Sequence, residues 1–206
     1  GFNCLRATSS EPAQPFDKNR KGLNLGEGAA ALVLEEYERA KARGAIIYAV
    51  LAGWGMTADA HHMTAPRPDG SQAARSMRLA LADGHVAPGE ISYVNAHGSA
   101  TLLNDSTETT AIKSVFGPHA RRLPVSSTKA YYGHALGASG AIEAAIATLA
   151  IAREWLPPTL NLDVPDAACD LDYIPNEGRV ARPEFVLSNS FGFGGVNAAL
   201  VFRRAS

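Results

Sequence analysis

The stretch from residue 91 to residue 116 reads ISYVNAHGSATLLNDSTETTAIKSVF, and it decides the fold class. Ile91 to Ala96 is a short run of β-branched and aromatic residues, the composition of a strand, and it delivers His97-Gly98 at its end. Helical spacing follows from Asn104 to Phe116. Asp105 can cap that helix, and Glu108 three residues later completes an acidic form of the capping box. A strand, a polar loop and a helix in this order form one unit of an α/β protein.

The same alternation extends in both directions. Downstream, Pro124 to Ser127 predicts a short strand ending at Thr128-Lys129. Gly133 to Trp155 predicts a long helix of small and apolar residues, the composition of a helix buried between layers. Pro157-Pro158 breaks the chain into a loop reaching Pro183, and Phe185 to Ser188 and Ala198 to Phe202 predict two strands joined by a Gly-rich turn. Upstream, Ser71 to Asp83 carries apolar residues at helical spacing, and Asp59 to Gly70, with two prolines, is an irregular loop. Ala45 to Trp54 and Gly28 to Glu35 are strand candidates, and Glu36 to Arg43 is a helix stopped by Gly44. The polar, proline-bearing Ser9 to Asn24 reads as a surface loop.

Composition narrows the class. The chain has 206 residues, with 19 Lys plus Arg against 20 Asp plus Glu and 46% hydrophobic residues. A chain of this size buries about 70% of its unfolded surface, so it needs no disulfide or metal for a core. A net charge of −1, without long runs of like charge, argues against a nucleic-acid or membrane-surface protein. The most apolar helix, Ala141 to Ala152, stops at Arg153-Glu154, short of the roughly 18 to 20 apolar residues of a membrane span. Cys4 and Cys169 lie far apart without a CxxC pair, which indicates neither a disulfide scaffold nor a metal site and suits a reducing cytoplasm. The chain begins Gly1-Phe2-Asn3-Cys4, with no initiator Met and nothing that reads as a signal peptide, and a fragment is the expectation.

Three segments hold polar residues that a layered core does not require. In Val94 to Thr101 a histidine stands at a strand end, where α/β sheets bind ligands, although a lone histidine is also commonly structural. In Ser126 to His134 a lysine and a second histidine precede a helix, whose positive end disfavours an imidazolium. Read alone, Lys129 also suits a solvated surface and His134 a helix cap. Ser188 to Asn197 is glycine-rich, but a dinucleotide fingerprint would need Gly where Asn197 stands. That departure leaves a nucleotide-binding oxidoreductase a distant reading, and a plain hairpin stays possible.

Taken together, NAHGS-x-T, then TK with H-x-LG-x-SG, then NSFGFGG-x-N resemble, in order and spacing, the carboxy-terminal half of the β-ketoacyl synthases, condensing enzymes of the thiolase-like superfamily. GLNLGEGAAALVLEEYERAKARGA, Asp59 to Gly70, Leu103 to Glu108 and PPTLNLD also look like their family counterparts. The resemblance implies a thiolase-like layered αβαβα fold, with residues 1–44 ending the first half and residues 45–206 forming the second. It implies decarboxylative condensation of an acyl-enzyme thioester with malonyl-acyl carrier protein, in fatty acid or polyketide and polyene synthesis. His97 and His134 would be the donors to the enolate oxygen, with Lys129 and Glu143 supporting them, and Glu143 would offset Lys129 or help bind a structural cation. Ser99, Thr101, Thr64 and Phe191 would line the substrate tunnel, and Phe193 would be the gating aromatic whose backbone N–H joins the oxyanion hole. The implied partners are acyl carrier protein, met in part through Arg6, the missing amino-terminal half, and a second subunit in a homodimer or ketosynthase heterodimer. No cofactor is implied beyond the carrier's phosphopantetheine.

The family's HGTST reads His97-Gly98-Ser99-Ala100-Thr101 here, a modest change that keeps hydroxyls at both contact positions. Leu102 and the pair Tyr131-Tyr132 depart further beside these segments, so the substrate chain or partner surface is expected to differ from housekeeping synthesis. Neither Cys4 nor Cys169 matches the family's nucleophile, which is expected outside this chain. The alternative is a non-catalytic subunit of the chain-length-factor kind.

Overall fold

A computed structural model of the chain describes residues 7–205. Its centre is a five-stranded sheet in the order β1, β7, β6, β2, β3. These strands are β1 Val50–Ala58, β2 Ile91–Asn95, β3 Val125–Ser126, β6 Phe185–Gly192 and β7 Val196–Arg203. The β6–β2 and β2–β3 pairs are parallel, whereas β1–β7 and β7–β6 are antiparallel. A separate antiparallel pair joins β4 Trp155–Leu156 to β5 Arg179–Val180. The helices are α1 Tyr37–Ala42, α2 Ser71–Asp83, α3 Asn104–Phe116, α4 Lys129–Tyr132 and α5 Ser139–Arg153.

The sheet carries helices on both faces, α2 and α3 through the apolar residues they bury and α5 through one side of an almost wholly apolar helix. On one face, Ala73, Ala74, Met77, Ala80 and Leu81 of α2 and Ala111, Ile112 and Val115 of α3 join Val94, Val125, Leu187 and Val201 in one core. On the other, Ala144, Ala147 and Ile151 of α5 meet Tyr93, Val186 and Phe202. Each fully buried Val, Leu, Ile, Met or Phe side chain among these contributes about 1.5–3 kcal/mol.

Strand β1 begins and ends later than its sequence suggests. Cβ atoms on Gly53 and Gly55 would come within 2.4 Å of Ala80 O and 2.2 Å of Ser76 O, so these glycines let α2 lie directly on the strand. A residue type read as an interruption is here a packing contact. Gly28 to Glu35 is not a buried strand: among the described residues it joins no ladder, and Val33 and Leu34 are 94% and 72% exposed. The apolar run has β composition, but among the described residues no strand pairs with it; Leu32 packs against the α5 core, while Val33 and Leu34 stay exposed.

The long helix expected from Gly133 starts only at Ser139, because Gly133 and Leu136 take positive φ values of 75° and 51°. One side of α5 is buried, while Leu149 on the other is 44% exposed. Leu136–Arg153 reaches 18 residues with a mean hydropathy of 1.3, long and apolar enough by composition to span a membrane. It differs from a lipid-facing segment in having Glu143 at its middle, fully buried and paired with Lys129. Ser9 to Asn24 is not a simple surface loop, since Phe16, Asp17, Arg20 and Leu23 are buried.

Candidate active site

The C-terminal ends of β2 and β6 open onto a cavity of about 430 Å³. His97 follows β2 directly, and its position is set from its own backbone. Glu108 of α3 accepts the His97 N–H (2.9 Å) and the Gly98 N–H (2.8 Å), and also the Asn189 Nδ2 donor (3.0 Å). Gly98 has φ +39°, and a Cβ there would lie 2.4 Å from Ser127 Cβ, so the turn that presents His97 admits only glycine without rearrangement.

This arrangement corrects the capping box. The residue that caps α3 is Leu103, without a side-chain bond. Asp105 instead accepts the Phe16 N–H at 2.8 Å, and Glu108 is turned under the loop that bears His97. Both acids lie on the buried face of α3 with Ile112 and Val115. Their spacing from the apolar stripe is the signal that separates this role from a cap.

Lys129, at the first position of α4, is 2% exposed. Its ammonium donates to His97 O (2.5 Å), lies 3.4 Å from His97 Nδ1, and pairs with Glu143. With a donor facing Nδ1, the neutral His97 ring carries its proton on Nε2. His134 is held similarly. Its backbone N–H donates to Asn24 O (2.7 Å), and its carbonyl accepts from Gly26 N–H (3.0 Å). Its Nδ1 accepts the Leu136 N–H at 3.1 Å, which again leaves the proton on Nε2. The two rings stand edge to face with centroids 5.2 Å apart, and both line the cavity.

Burial, then the Lys129 charge and His134, hold the His97 imidazole well below its usual range. Burial and Lys129 bring His134 down to about 4. The α5 N-terminus, from which a neutral His134 is expected, begins five residues later and is not the main cause. Burial pushes the Glu143 carboxyl up to about 7, against the pull of Lys129 towards the carboxylate. Both rings are therefore neutral N–H donors near pH 7, a pair suited to an oxyanion.

Ser99, Thr101, Thr64, Phe191 and Phe193 line the same cavity. The Ser99 and Thr101 hydroxyls are 3.0 Å apart. The Phe191 ring lies 5.8 Å from His97. Phe193 sits at the tip of the β6–β7 hairpin, where Gly194 N–H donates to Met63 O (2.7 Å). Lys129 and Glu143 lie behind the histidines rather than on the cavity wall. Sequence reasoning missed Asp59, which ties the loop bearing Thr64 to this hairpin by accepting from Asn197 Nδ2 (2.8 Å) and from the Arg67 N–H (2.9 Å). Arg6 lies outside the described residues, as does Cys4. Cys169 is buried away from the cavity, and burial pushes its thiol up to about 11.

This geometry can be set beside known proteins. A model of the β-ketoacyl synthase C-terminal domain matches residues 48–163. The chain belongs to the β-ketoacyl synthase family. It is 50% identical over 210 residues to 3-oxoacyl-(acyl-carrier-protein) synthase 2 of Synechocystis sp., covering 99% of this chain and 50% of the relative. Identity to the enzyme of that name from Coxiella burnetii is also 50% over 210 residues, covering 99% of this chain and 51% of the relative. The chain thus spans about half the length of the curated relatives it matches. Among solved structures it superposes on a β-ketoacyl synthase from Burkholderia phymatum with a TM-score of 0.94 and 48% identity, over 100% of this chain and 51% of that one. A type II PKS ketosynthase, solved in complex with its acyl-carrier protein, gives a TM-score of 0.97 and 42% identity, over 99% of this chain and 52% of that one. The fold is the thiolase-like α/β fold of the β-ketoacyl synthases.

Proposed function

We propose that this chain supplies the enolate-stabilising half of an elongating ketosynthase site, which condenses an acyl-enzyme thioester with a malonyl thioester on acyl carrier protein. The observation that carries the reading is the convergence of two neutral Nε2–H donors, His97 and His134, on one cavity. As the malonyl C–C bond breaks, carbon dioxide leaves and its electron pair moves into the thioester, placing negative charge on the thioester oxygen. His97 and His134 donate to that oxygen. The enolate carbon then attacks the acyl thioester, a C–C bond forms, and the cysteine thiolate leaves. The Phe193 backbone N–H serves the oxyanion of this second step, and its ring gates the cavity.

Lys129 holds His97 through its carbonyl and Nδ1, and Glu143 balances the Lys129 charge in a site where an unpaired ion would be costly. Among the described residues, Glu143 Oε2 and Asn95 Oδ1 are buried with no hydrogen-bond partner, and oxygens of this type are the donors a hard cation would take if one bound beside Glu143. Ser99, Thr101, Thr64 and Phe191 bind the pantetheine arm and substrate. The nucleophilic cysteine is assigned outside this chain, since Cys169 is not on the cavity wall and Cys4 does not match the family's nucleophile segment. Residues 1–44 belong to the first thiolase-like half and residues 45–206 to the second.

The proposed partners are acyl carrier protein, contacted at Arg6, and a second ketosynthase subunit. A cytoplasmic setting suits the free Cys169 thiol. The retained His97, Lys129 and His134 set favours the enzyme over a non-catalytic subunit. In the full-length protein, incubation with malonyl-carrier protein is expected to release carbon dioxide and, with an acyl primer, a β-ketoacyl product. Equal carbon dioxide release by wild type and His97→Ala would overturn the assignment.

A further inference from the structure

The loop that joins His97 to α3 is anchored at two ends by different residues. Its first end is fixed by Glu108 and by Ser127, whose hydroxyl donates to Gly98 O at 2.7 Å. Its second end is held from the segment before α1. Arg20, 6% exposed, donates through Nε to Thr101 O (3.1 Å) and through Nη2 to Leu102 O (3.2 Å). The rest of the guanidinium is fixed in turn. Nη1 donates to Asp17 O (2.9 Å) and to Asp166 Oδ2 (2.5 Å), and Asp105 Oδ2 lies 3.9 Å from Nε.

Between the two anchors Ala100 adopts φ +62°. A residue with a Cβ rarely takes this left-handed conformation, and it persists only where the surroundings over-determine it. Ser99 and Thr101 flank Ala100, and both face the cavity. The Thr101 hydroxyl accepts from the Asn104 N–H (3.3 Å), and the Arg20 fork holds the backbone on which that hydroxyl stands.

We propose that Arg20 is a positioning residue that fixes the Ser99 and Thr101 hydroxyls for the pantetheine arm of the substrate, acting through the Thr101 and Leu102 carbonyls. This rests on the pantetheine role given to those hydroxyls above. Because His97 is anchored independently by Glu108 and Lys129, Arg20 governs arm binding and leaves the enolate donors in place. Lysine keeps the charge beside Asp105 and Asp166 but lacks the planar fork that reaches three carbonyls and a carboxylate together.

The test compares two substrates in the full-length protein: malonyl-pantetheine, and S-methyl malonyl thioester, which lacks the arm. Arg20→Lys is expected to raise KM for malonyl-pantetheine about tenfold, the effect of losing a hydrogen bond to the arm, and to leave decarboxylation of the methyl thioester unchanged. Asp166→Asn, which loosens the guanidinium on its less buried side, is expected to shift the same KM by a smaller factor, and it serves where Arg20→Lys does not fold. Equal losses on both substrates, or no shift on either, overturn the proposal. Thr101→Val, run in parallel, separates the two failures. If it raises KM for malonyl-pantetheine while Arg20→Lys does not, the Arg20 inference alone is wrong. If Thr101→Val has no effect, the pantetheine role of the hydroxyls falls, and the inference with it.

Discussion

Replacing Glu108 by glutamine changes one oxygen for an NH₂ group and should disturb the site out of proportion to that change. Oε1 accepts from both His97 N–H and Asn189 Nδ2, and Oε2 accepts from Gly98 N–H. Glutamine has one oxygen. If that oxygen takes the Oε1 position, its NH₂ faces the Gly98 N–H. In the other orientation the NH₂ faces the His97 N–H, which stays unpaired even if Asn189 flips to accept from it. Either way a buried backbone donor loses its acceptor, at about 1–3 kcal/mol, and the surviving bonds lose their charge assistance. We expect Glu108→Gln to cost about 2 kcal/mol, a factor of about 30 in the folded-to-unfolded ratio. Urea unfolding of the full-length protein should show a lower midpoint with an unchanged slope. Because the disturbed peptide carries His97, decarboxylation should fall about tenfold or more. A midpoint shift equivalent to less than about 0.5 kcal/mol, with wild-type decarboxylation, would refute the claim that this carboxylate holds the loop.

Two further perturbations probe the neighbouring groups. An ammonium beside an imidazole disfavours the imidazolium, so Lys129→Met should raise the His134 titration midpoint from about 4, while burial keeps it below 6.5. Histidine NMR titration checks this, and an unmoved or lower midpoint would contradict the proposed Lys129 contribution. Gly98→Ala places a Cβ against Ser127 and a side chain at φ +39°, and it should cost about 1–3 kcal/mol in thermal unfolding. Native stability in that variant would mean the turn is looser than described.

The parts of the fold visible in the sequence were those with local causes. Ser71–Asp83 and Asn104–Phe116 have apolar residues at helical spacing, and both helices occupy those residues. The ends of β1 were hidden because Gly53 and Gly55 serve α2 rather than a turn. The exposure of Val33 and Leu34 follows from what stands beside them, which no local pattern records. The site was legible as segments, because a histidine after a strand and a lysine before a helix are short-range features. Glu108 was misread because acids three residues apart make an equally good cap signal, and only its alignment with Ile112 and Val115 marks it as buried. Arg20 was unreadable, since its partners Thr101, Leu102 and Asp166 lie more than 80 residues away in sequence.

The central claim is that His97 and His134 donate to the same developing oxyanion. Malonyl decarboxylation by the full-length protein should be measured for His97→Ala, for His134→Ala and for the double variant. Each single variant is expected to lose about 10²–10³ in rate, and the double variant to lose far less than the product of the two, because the donors act as a unit. Wild-type decarboxylation in either single variant, or strictly multiplicative losses in the double, would contradict the account.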